Sequence, residues 1–400
     1  MSVLSKTQLE KYADVLVWGL KTARPGFKKY DTVLVRCDLE GRELGEIVHR
    51  KLVEEKYNVV FRFMMSPRLE RDFYEFSDDK QRAFVAAGDR EFFSAVNGNI
   101  YIHAPASLTN LKGIDTKRQS QVAIARKPLR DIMNRNEERG RFGWTLCTYP
   151  TEELARQARL SIKEYAAQIA KACFLGEPAP AKKWARIYKD TMEIKKWLKG
   201  LNIDVIRTES ASMDLEIRLG EKRKFLGVSG HNIPSFEIFT SPDWRGTRGT
   251  YYANLPAFRG GNYVEKIKLE FKDGRAVKIA AAKGEDYVKK IMGTDKGASQ
   301  LGEYSLTDKR FSRIDKFMAD TLFDENHGGK HGNCHVAIGS SYSDTYDGDV
   351  TKLSETLKRK IGYNDSAVHW DLINTEDKKV TATLKNGKKV TIYEKGQFKY

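Results

Sequence analysis

Apolar residues change their periodicity halfway along the chain, and this change limits the folds open to it. Residues 32–38 form a β-rich run, residues 44–52 place apolar side chains at helical spacing, and residues 58–64 form a second β-rich run. A strand, a helix and another strand in this order are typical of a βαβ unit with parallel strands. The first half is therefore predicted to be a mainly parallel sheet covered by helices.

Further elements of the first half follow the same order. Residues 98–105 and 141–150 predict two more strands, and residues 116–137 predict a helix between them. Glutamates directly after Thr151 indicate a helix start, and one long helix is predicted from there through residue 174. Residues 1–20 predict an amphipathic helix rather than a secretory signal. The segment CDLEGRELG after the first strand lacks a phosphate-binding glycine pattern, so no nucleotide site is predicted there.

The second half favours antiparallel strands. Residues 213–219 alternate between apolar and polar side chains, and hairpins are indicated around Asp273 and Gly274 and around Asn386 and Gly387. The segment GEPAPAKK, residues 176–183, contains two prolines and is predicted to be a linker. We therefore expect an α/β N-terminal domain with a mainly parallel sheet over residues 1–180. An α+β C-terminal catalytic domain rich in antiparallel strands is expected over residues 181–400.

Composition argues against several classes of protein. No uncharged apolar stretch among the 400 residues reaches the roughly 18 residues of a transmembrane helix. The four cysteines lie far apart without a CxxC pair, which disfavours a disulfide framework and favours a cytoplasmic location. The net charge of +16 is compatible with nucleic acid binding, but the basic residues are scattered and no nucleic-acid motif accompanies them. A basic surface is therefore preferred over a nucleic-acid interface.

Histidine and carboxylate residues mark three segments of the second half as candidates for chemistry. In AVHWDLIN, His369 and Asp371 are two residues apart, so a strand would point both side chains to the same face. An imidazole beside a carboxylate is half of a zinc-type site, although the same pair also occurs on solvated strands. In LFDENHGGKHGNCHVAIGSSY, Glu325, His335 and Tyr342 surround a glycine-rich loop, and a flexible polar loop is an equally good interpretation.

Two glutamates occupy apolar surroundings, Glu237 in NIPSFEIFTSPD and Glu303 in SQLGEYSLTD. A carboxylate among apolar side chains pays a desolvation cost unless a cation compensates its charge, whether from lysine, arginine or a metal ion. Taken together, these segments supply several carboxylates and two imidazoles without cysteine. Such a set suits two divalent ions that share a bridging carboxylate, which is a type of site that hydrolyses amides and phosphates.

At these residues the chain resembles the aminopeptidase T family of metallopeptidases. The matching segments are NIPSFEIFTSPD, LGEYSLTD, LFDEN with GNCHVAIGSSY, and AVHWDLI, in the family's order and approximate spacing. The resemblance also extends, more weakly, over the N-terminal half. It implies an exopeptidase that uses two divalent ions (zinc, cobalt, manganese or magnesium), acts on peptides with a free N-terminus and forms a homodimer.

The family's metal ligands fall on particular positions of this sequence: Glu237, Glu303, Glu325, His335, His369 and Asp371. Some members have a shorter link before the first histidine, whereas HGGKHGNC here adds His327 and His331. The NCHVAIG context favours His335 as the ligand, and the two added histidines are expected to be exposed. In the implied mechanism a metal-activated water attacks the peptide carbonyl. Glu303 bridges the ions and could accept a proton, and Tyr342 stabilises the oxyanion.

Three alternatives remain open at the level of the sequence. The same ligands could serve a metal-dependent hydrolase of phosphates or of other amides. The net charge of +16 could serve a nucleic-acid-binding protein. A family member could also have lost its activity, although all six ligand positions are kept.

Overall fold

A computed structural model describes residues 3–400 of the chain. Their contacts divide them into two units. The N-terminal unit runs to Ala185 and includes the short segments Ser229–Ser235 and Arg259–Asn262. The C-terminal unit comprises Arg186–Val228, Phe236–Phe258 and Tyr263–Tyr400.

The sheet of the N-terminal unit is parallel throughout. Its strands, numbered along the whole chain, are β1 (Thr32–Cys37), β2 (Asn58–Phe63), β3 (Gly98–His103), β4 (Gly143–Thr148) and β7 (Asn232–Ile233). The strand order is β2-β1-β3-β4-β7, and each adjacent pair is parallel. The parallel sheet predicted from the periodicity is therefore confirmed.

Helices accompany these strands along the chain. They are α1 (Lys6–Ala23), α2 (Arg42–Glu54), α3 (Pro67–Phe76), α4 (Asp79–Arg82), α5 (Asp89–Ala95), α6 (Thr116–Glu138), α7 (Glu152–Gln157), α8 (Ile162–Ala172) and α9 (Pro180–Gly200). The amphipathic helix predicted at the N-terminus is α1, which begins with a capping box between Ser5 and Gln8. In residues 3–400 no helix is both long and apolar enough to cross a membrane.

The single helix predicted over residues 151–174 is wrong, because the chain forms α7 and α8 there. Arg159 has a φ of 58°, which is incompatible with a continuous right-handed helix. Ser161 then begins α8 with a capping box, in which its side chain accepts from the amide of Glu164 and its own amide donates to the Glu164 carboxylate. These local hydrogen bonds favour a new helix start over continuation.

The C-terminal unit contains the remaining strands. They are β5 (Ile203–Ser210), β6 (Asp214–Arg218), β8 (Glu237–Thr240), β9 (Asp243–Ala253), β12 (Ile267–Lys272), β13 (Arg275–Ala280), β14 (Leu301–Thr307), β15 (Asn333–Gly339), β16 (His369–Asn374), β17 (Lys378–Leu384), β18 (Lys389–Glu394) and β19 (Gln397–Phe398). The chain also forms the short strands β10 (Ala257–Arg259) and β11 (Asn262–Val264), which pair with each other, and the helices α10 (Glu285–Met292), α11 (Thr321–Asp324) and α12 (Glu355–Lys360).

Two antiparallel sheets organise this unit. One has eight strands in the order β13-β12-β9-β6-β5-β17-β18-β19, and the other has four in the order β16-β15-β14-β8. The predicted hairpins are β12–β13 and β17–β18, and both Asp273 and Gly274 take the positive φ of a tight hairpin turn. The prediction of antiparallel strands in the second half is confirmed.

An apolar core joins the two sheets of the C-terminal unit. Leu215 and Leu269 of the larger sheet and Leu306 and Val336 of the smaller sheet belong to this core. Tyr251, fully buried, donates a hydrogen bond of 2.6 Å to the carbonyl of Leu372. One face of the four-stranded sheet therefore packs on the core, and its opposite face carries polar side chains such as Glu303 and His335.

Candidate metal centre

The four-stranded sheet sorts its side chains by strand alternation. Apolar residues such as Leu306, Val336 and Leu372 face the core at every second position. The positions between them project from the other face. These positions carry Glu237 on β8, Glu303 on β14, His335 on β15, and His369 and Asp371 on β16.

Strand register brings these side chains into neighbouring positions. Glu303 pairs with Ala337 on the adjacent strand, and Ala337 pairs in turn with Asp371. Glu303 and Asp371 therefore stand on either side of a residue whose side chain is a single methyl group. The small side chain leaves space above the sheet between the two carboxylates.

The first group of possible ligands consists of Glu237, Glu303 and His335, all buried. His335 Nε2 lies 3.2 Å from Glu237 Oε2 and 3.2 Å from Glu303 Oε1. Ser305 Oγ donates a hydrogen bond of 3.2 Å to Glu237 Oε2 and so fixes the orientation of that carboxylate. One potential ligand atom from each of the three possible ligands lies within 4.8 Å of the others.

The second group consists of Glu303, His369 and Asp371. His369 Nε2 lies 3.5 Å from Glu303 Oε2 and 3.5 Å from Asp371 Oδ1. His369 Nδ1 lies 2.8 Å from the carbonyl oxygen of Ser340, which can only accept a hydrogen bond. Nδ1 therefore carries the proton, and the lone pair of a neutral His369 is directed from Nε2 toward the carboxylates.

Glu303 is common to both groups, with one carboxylate oxygen toward each histidine. Burial, followed by the charge of Glu237, raises the pKa of Glu303 from 4.5 to about 7. Desolvation alone would lower the pKa values of His335 and His369. Their carboxylate neighbours outweigh it, so the pKa of His335 is well above its usual value and that of His369 is raised to about 9.

Glu325 lies beside the two groups rather than within either of them. It follows α11 and is 7% exposed. Burial and the charges of Glu237 and Asp371 raise the pKa of Glu325 well above its usual value. The backbone carbonyl of Glu325 accepts a hydrogen bond of 2.9 Å from Asn333 Nδ2, which ties this segment to the start of β15.

Tyr342 lies at the open side of the centre. Its ring centroid is 4.7 Å from that of His369, and 43% of the residue is exposed. Desolvation of the phenol and the charges of Glu303 and Asp371 nevertheless raise the pKa of Tyr342 well above its usual value. The phenol is therefore protonated at neutral pH and is able to donate a hydrogen bond.

A glycine allows the backbone to approach Glu237 closely. Gly227 has a φ of 141°, and a Cβ atom built on it would lie 1.9 Å from the carbonyl oxygen of Glu237. Beside this contact, Asn326 Oδ1 accepts a hydrogen bond of 2.5 Å from the amide of Phe236. Any side chain at residue 227 would displace the first strand of the centre.

The two other histidines of the glycine-rich loop are placed differently from each other. His331 is 31% exposed and lies 3.4 Å from Asp377. The expectation that His327 is exposed is wrong, because its Nδ1 is buried. Asn333 Nδ2 donates a hydrogen bond of 2.7 Å to the His327 carbonyl, which holds this part of the loop against β15.

The sequence interpretation did not single out Ser305 as a partner of the candidate ligands. It lies two residues after Glu303 on β14, and strand alternation alone would place both on one face. Its partner is Glu237 of the neighbouring strand, so a polar residue two positions from a candidate ligand is a usable signal for a hydrogen-bond partner on the same sheet face.

Comparison with known proteins finds similar sequences along nearly the whole chain. A family model described as thermophilic metalloprotease (M29) matches residues 5–398. Aminopeptidase PepS of Streptococcus thermophilus is 27% identical over 98% of both chains. Aminopeptidase 2 of Geobacillus stearothermophilus is 26% identical over 98% of both chains. Aminopeptidase AmpS of Bacillus subtilis (strain 168) is 29% identical over 76% of this chain and 78% of its own.

A solved structure has the same fold. Wild-type AmpT from Thermus thermophilus superposes with a TM-score of 0.79, covering 99% of this chain and 100% of its own, at 21% identity. The likeness extends over both units described above.

Proposed function

The chain belongs to the M29 family of thermophilic metalloproteases, and we propose that it is a metal-dependent aminopeptidase that releases N-terminal amino acids from peptides. Three of its relatives carry the name aminopeptidase, and each matches three quarters or more of this chain. Their names support the activity, while the metal number and the roles of single residues rest on the geometry of the candidate metal centre.

The observation that carries the proposal is that Glu303 belongs to both groups of possible ligands. A carboxylate with one oxygen toward each group is the element that two divalent ions would share. We assign Glu237 and His335 to one ion and His369 and Asp371 to the other. Glu325, buried beside both groups, is the sixth ligand in this assignment.

The donor set fits divalent cations. Carboxylate oxygens and imidazole nitrogens without thiolates are ligands for zinc, cobalt, manganese or magnesium. Four acidic residues against two imidazoles leave an excess of negative charge, and burying such an excess is costly unless a cation compensates it. His335 Nε2 lies 3.2 Å from both Glu237 Oε2 and Glu303 Oε1, so Nε2 is the nitrogen of His335 that we assign as the ligand.

When bound, the divalent ions would polarise the scissile carbonyl and lower the pKa of a water molecule. The chain's own residues supply the remaining chemistry. Glu303, whose carboxylate oxygens face both groups of possible ligands, is the group we assign to accept a proton. The protonated phenol of Tyr342, half-exposed beside His369, is placed to donate a hydrogen bond to the oxyanion.

Selectivity for a free N-terminus would follow from the ligands that the centre offers to an amine. A free α-amine would bind an ion through its lone pair or, when protonated, donate to a nearby carboxylate, whereas an acetylated nitrogen has neither a charge nor an available lone pair. Losing a charge-assisted contact of roughly 3 kcal/mol corresponds to about a 100-fold loss of rate. Acetylation of a peptide substrate should therefore remove most of the turnover.

The deciding experiment uses a dipeptide and an aminoacyl-4-nitroanilide, each with a free N-terminus, and compares them with their N-acetylated forms. We expect hydrolysis of the free forms only, its loss after chelation by EDTA, and its return when a divalent ion is added back. Elemental analysis of the purified protein then counts the ions per chain and identifies them. Equal rates on acetylated and free substrates would instead indicate an endopeptidase or amidase, and full activity without metal would contradict the proposal altogether.

The remaining parts of the proposal concern partners and location. We propose peptides as the substrates, a homodimer as the assembly and the cytoplasm as the location, as the family resemblance and the scattered cysteines favour. Sedimentation equilibrium of the purified chain tests the dimer, and fractionation of the producing cells tests the location.

A further inference from the structure

A cavity in the N-terminal unit combines charged and aromatic side chains. Its volume is about 190 Å³, and it lies between one face of the parallel sheet and α6. Its lining includes Arg36, Asn99, Tyr101, Glu137, Phe142 and Trp144. A single water occupies only about 10–15 Å³, so the cavity has room for a small molecule. It is smaller than the roughly 300–1,000 Å³ typical of drug-sized ligands, which disfavours a nucleotide.

The register of the parallel sheet fixes several side chains of this cavity. Three neighbouring strands contribute to its lining, in the sheet order β2-β1-β3-β4-β7. Asn99 of β3 is paired with Trp144 of β4 across one strand border. Arg36 of β1 and Tyr101 of β3 are paired across the other border.

Arg36 is a cation without an anionic partner. Its Nε donates a hydrogen bond of 2.9 Å to Asn99 Oδ1, and its guanidinium lies 5.1 Å from the centroid of the Tyr101 ring. The nearby carboxylate of Asp38 is engaged elsewhere, by the Tyr101 hydroxyl at 3.1 Å and by the amide of Ala104 at 2.7 Å. In residues 3–400 the two terminal nitrogens of Arg36 make no hydrogen bond, and desolvation lowers the pKa of this guanidinium. The cavity thus offers a fork of donors for a carboxylate.

Glu137 supplies an anion on the α6 side of the same cavity. Its Oε1 lies 2.8 Å from His231 Nε2, and Ser229 Oγ lies 2.6 Å from His231 Nδ1. This chain of contacts holds the carboxylate in place, while Glu137 Oε2 makes no hydrogen bond within residues 3–400. Glu137 and Arg36 line one cavity but do not form an ion pair with each other. Opposite charges held apart in a small cavity are complementary to a zwitterion.

We propose that this cavity binds a free α-amino acid, with the carboxylate on Arg36, the ammonium on Glu137 and the side chain against Trp144 and Phe142. A single negative ion such as phosphate would meet the repulsion of Glu137, and a single cation would meet that of Arg36. Aromatic walls favour an apolar or aromatic side chain on the ligand. If the proposed aminopeptidase activity holds, the ligand belongs to the same class as the released product, and the N-terminal unit senses that product.

The experiment is a calorimetric titration of the full-length, metal-loaded protein with L-phenylalanine. The wild type is compared with Arg36→Met and with Glu303→Gln, which alters only the candidate metal centre. We expect binding to survive in Glu303→Gln and to weaken about 10- to 100-fold in Arg36→Met, the range of a lost hydrogen-bonded charge contact. Arg36→Met should hydrolyse the aminoacyl-4-nitroanilide at the wild-type rate in the absence of added amino acid.

A second variant tests the proposal independently, in case Arg36→Met does not fold. Glu137, which is 33% exposed at the cavity, is changed to glutamine, and both this variant and the wild type are titrated with L-phenylalanine and with N-acetyl-L-phenylalanine. Acetylation should weaken binding to the wild type about 10-fold or more but change binding to Glu137→Gln little, because the ammonium contact is already lost.

Each outcome decides between the two proposals. Equal affinity of wild type and Arg36→Met, or no binding at any soluble concentration, overturns the amino-acid site while leaving the aminopeptidase proposal intact. If Glu303→Gln lost binding and Arg36→Met kept it, L-phenylalanine would be bound at the metal centre, and the amino-acid site in the N-terminal unit would be overturned. Absence of peptidase activity with retained, Arg36-dependent binding would overturn the proposed function and keep the amino-acid site.

Discussion

Glu303→Gln should change the stability and the metal affinity of this protein in opposite directions. Glu303 is 3% exposed and lies close to Glu237, His335 and His369. Glutamine keeps the shape of the side chain but cannot ionise. The variant therefore separates the cost of burying the carboxylate from its benefit as a ligand.

The magnitude follows from the pKa of Glu303. A rise from 4.5 to about 7 in the folded chain corresponds to about 3 kcal/mol at a pH above both values. A carboxyl group with a raised pKa contributes its full stability below pH 4.5, and this contribution is lost as the pH rises through 7. In protein stripped of metal, Glu303→Gln should therefore gain about 3 kcal/mol at pH 8 and less than about 1 kcal/mol at pH 5.

The assay is urea denaturation in the presence of EDTA, followed by circular dichroism at both pH values. Glu270→Gln is a matched control, because Glu270 forms an exposed pair of 2.7 Å with Lys278. Such surface pairs contribute about 0–1 kcal/mol, so the control should stay within that range at either pH. If stripped Glu303→Gln is no more stable than the wild type at pH 8, burial of this carboxylate is not a cost and the reasoning is refuted.

With a divalent ion present the order should reverse. Metal that binds only the folded chain stabilises the wild type, whereas the variant has lost the ligand common to both groups. Peptidase activity should fall by more than the roughly 10- to 100-fold typical of losing a hydrogen-bond partner of a metal ligand. Retained metal content and activity in Glu303→Gln would contradict the assignment of Glu303 as the shared ligand.

Three further changes probe other parts of the C-terminal unit. His335→Ala should reduce the metal content measured by elemental analysis. His331→Ala should leave the metal content unchanged, because His331 lies beside Asp377 instead. The reverse pattern would make His331 the ligand and exclude His335. Tyr342→Phe should slow nitroanilide hydrolysis about 100-fold with unchanged metal content, and an unchanged rate would remove its role toward the oxyanion. Tyr251→Phe should lower the free energy of unfolding, measured by urea denaturation, by about 1–3 kcal/mol, because the Leu372 carbonyl loses this donor. An unchanged free energy of unfolding would mean that another donor replaces the tyrosine.

Local chemistry was sufficient for several features of the fold. Short-range periodicity predicted the parallel sheet and the hairpin at Asp273 and Gly274, because side-chain alternation and turn conformations depend on neighbouring residues. His369 and Asp371 were predicted to share a strand face for the same reason, and their side chains do lie 3.5 Å apart. The break before Ser161 was missed although its capping pattern with Glu164 is also local.

Helices α3, α4 and α5 were not predicted, although Leu69, Phe73 and Phe76 of α3 do follow helical spacing. The other two helices have only four and seven residues, which is too short for a clear period. None of the three carries a buried apolar face of several residues; Arg82 of α4 is the one residue among them counted as buried. Capping at Ser66 and Asp78 begins two of these helices. Such short, half-buried helices depend on what they pack against, which periodicity does not report.

The sequence alone determined which residue types are available for chemistry and, through strand alternation, which of them can share a face. Only the tertiary structure decided which atoms meet. Glu237, Glu303 and His335 come from three different strands, and their distances depend on the register of those strands and on the core beneath them. The same holds for Arg36 and Glu137, which no local motif connects and which the packing of α6 on the parallel sheet brings to one cavity. Long-range register and burial are properties of the whole fold, because each depends on many side chains packing at once.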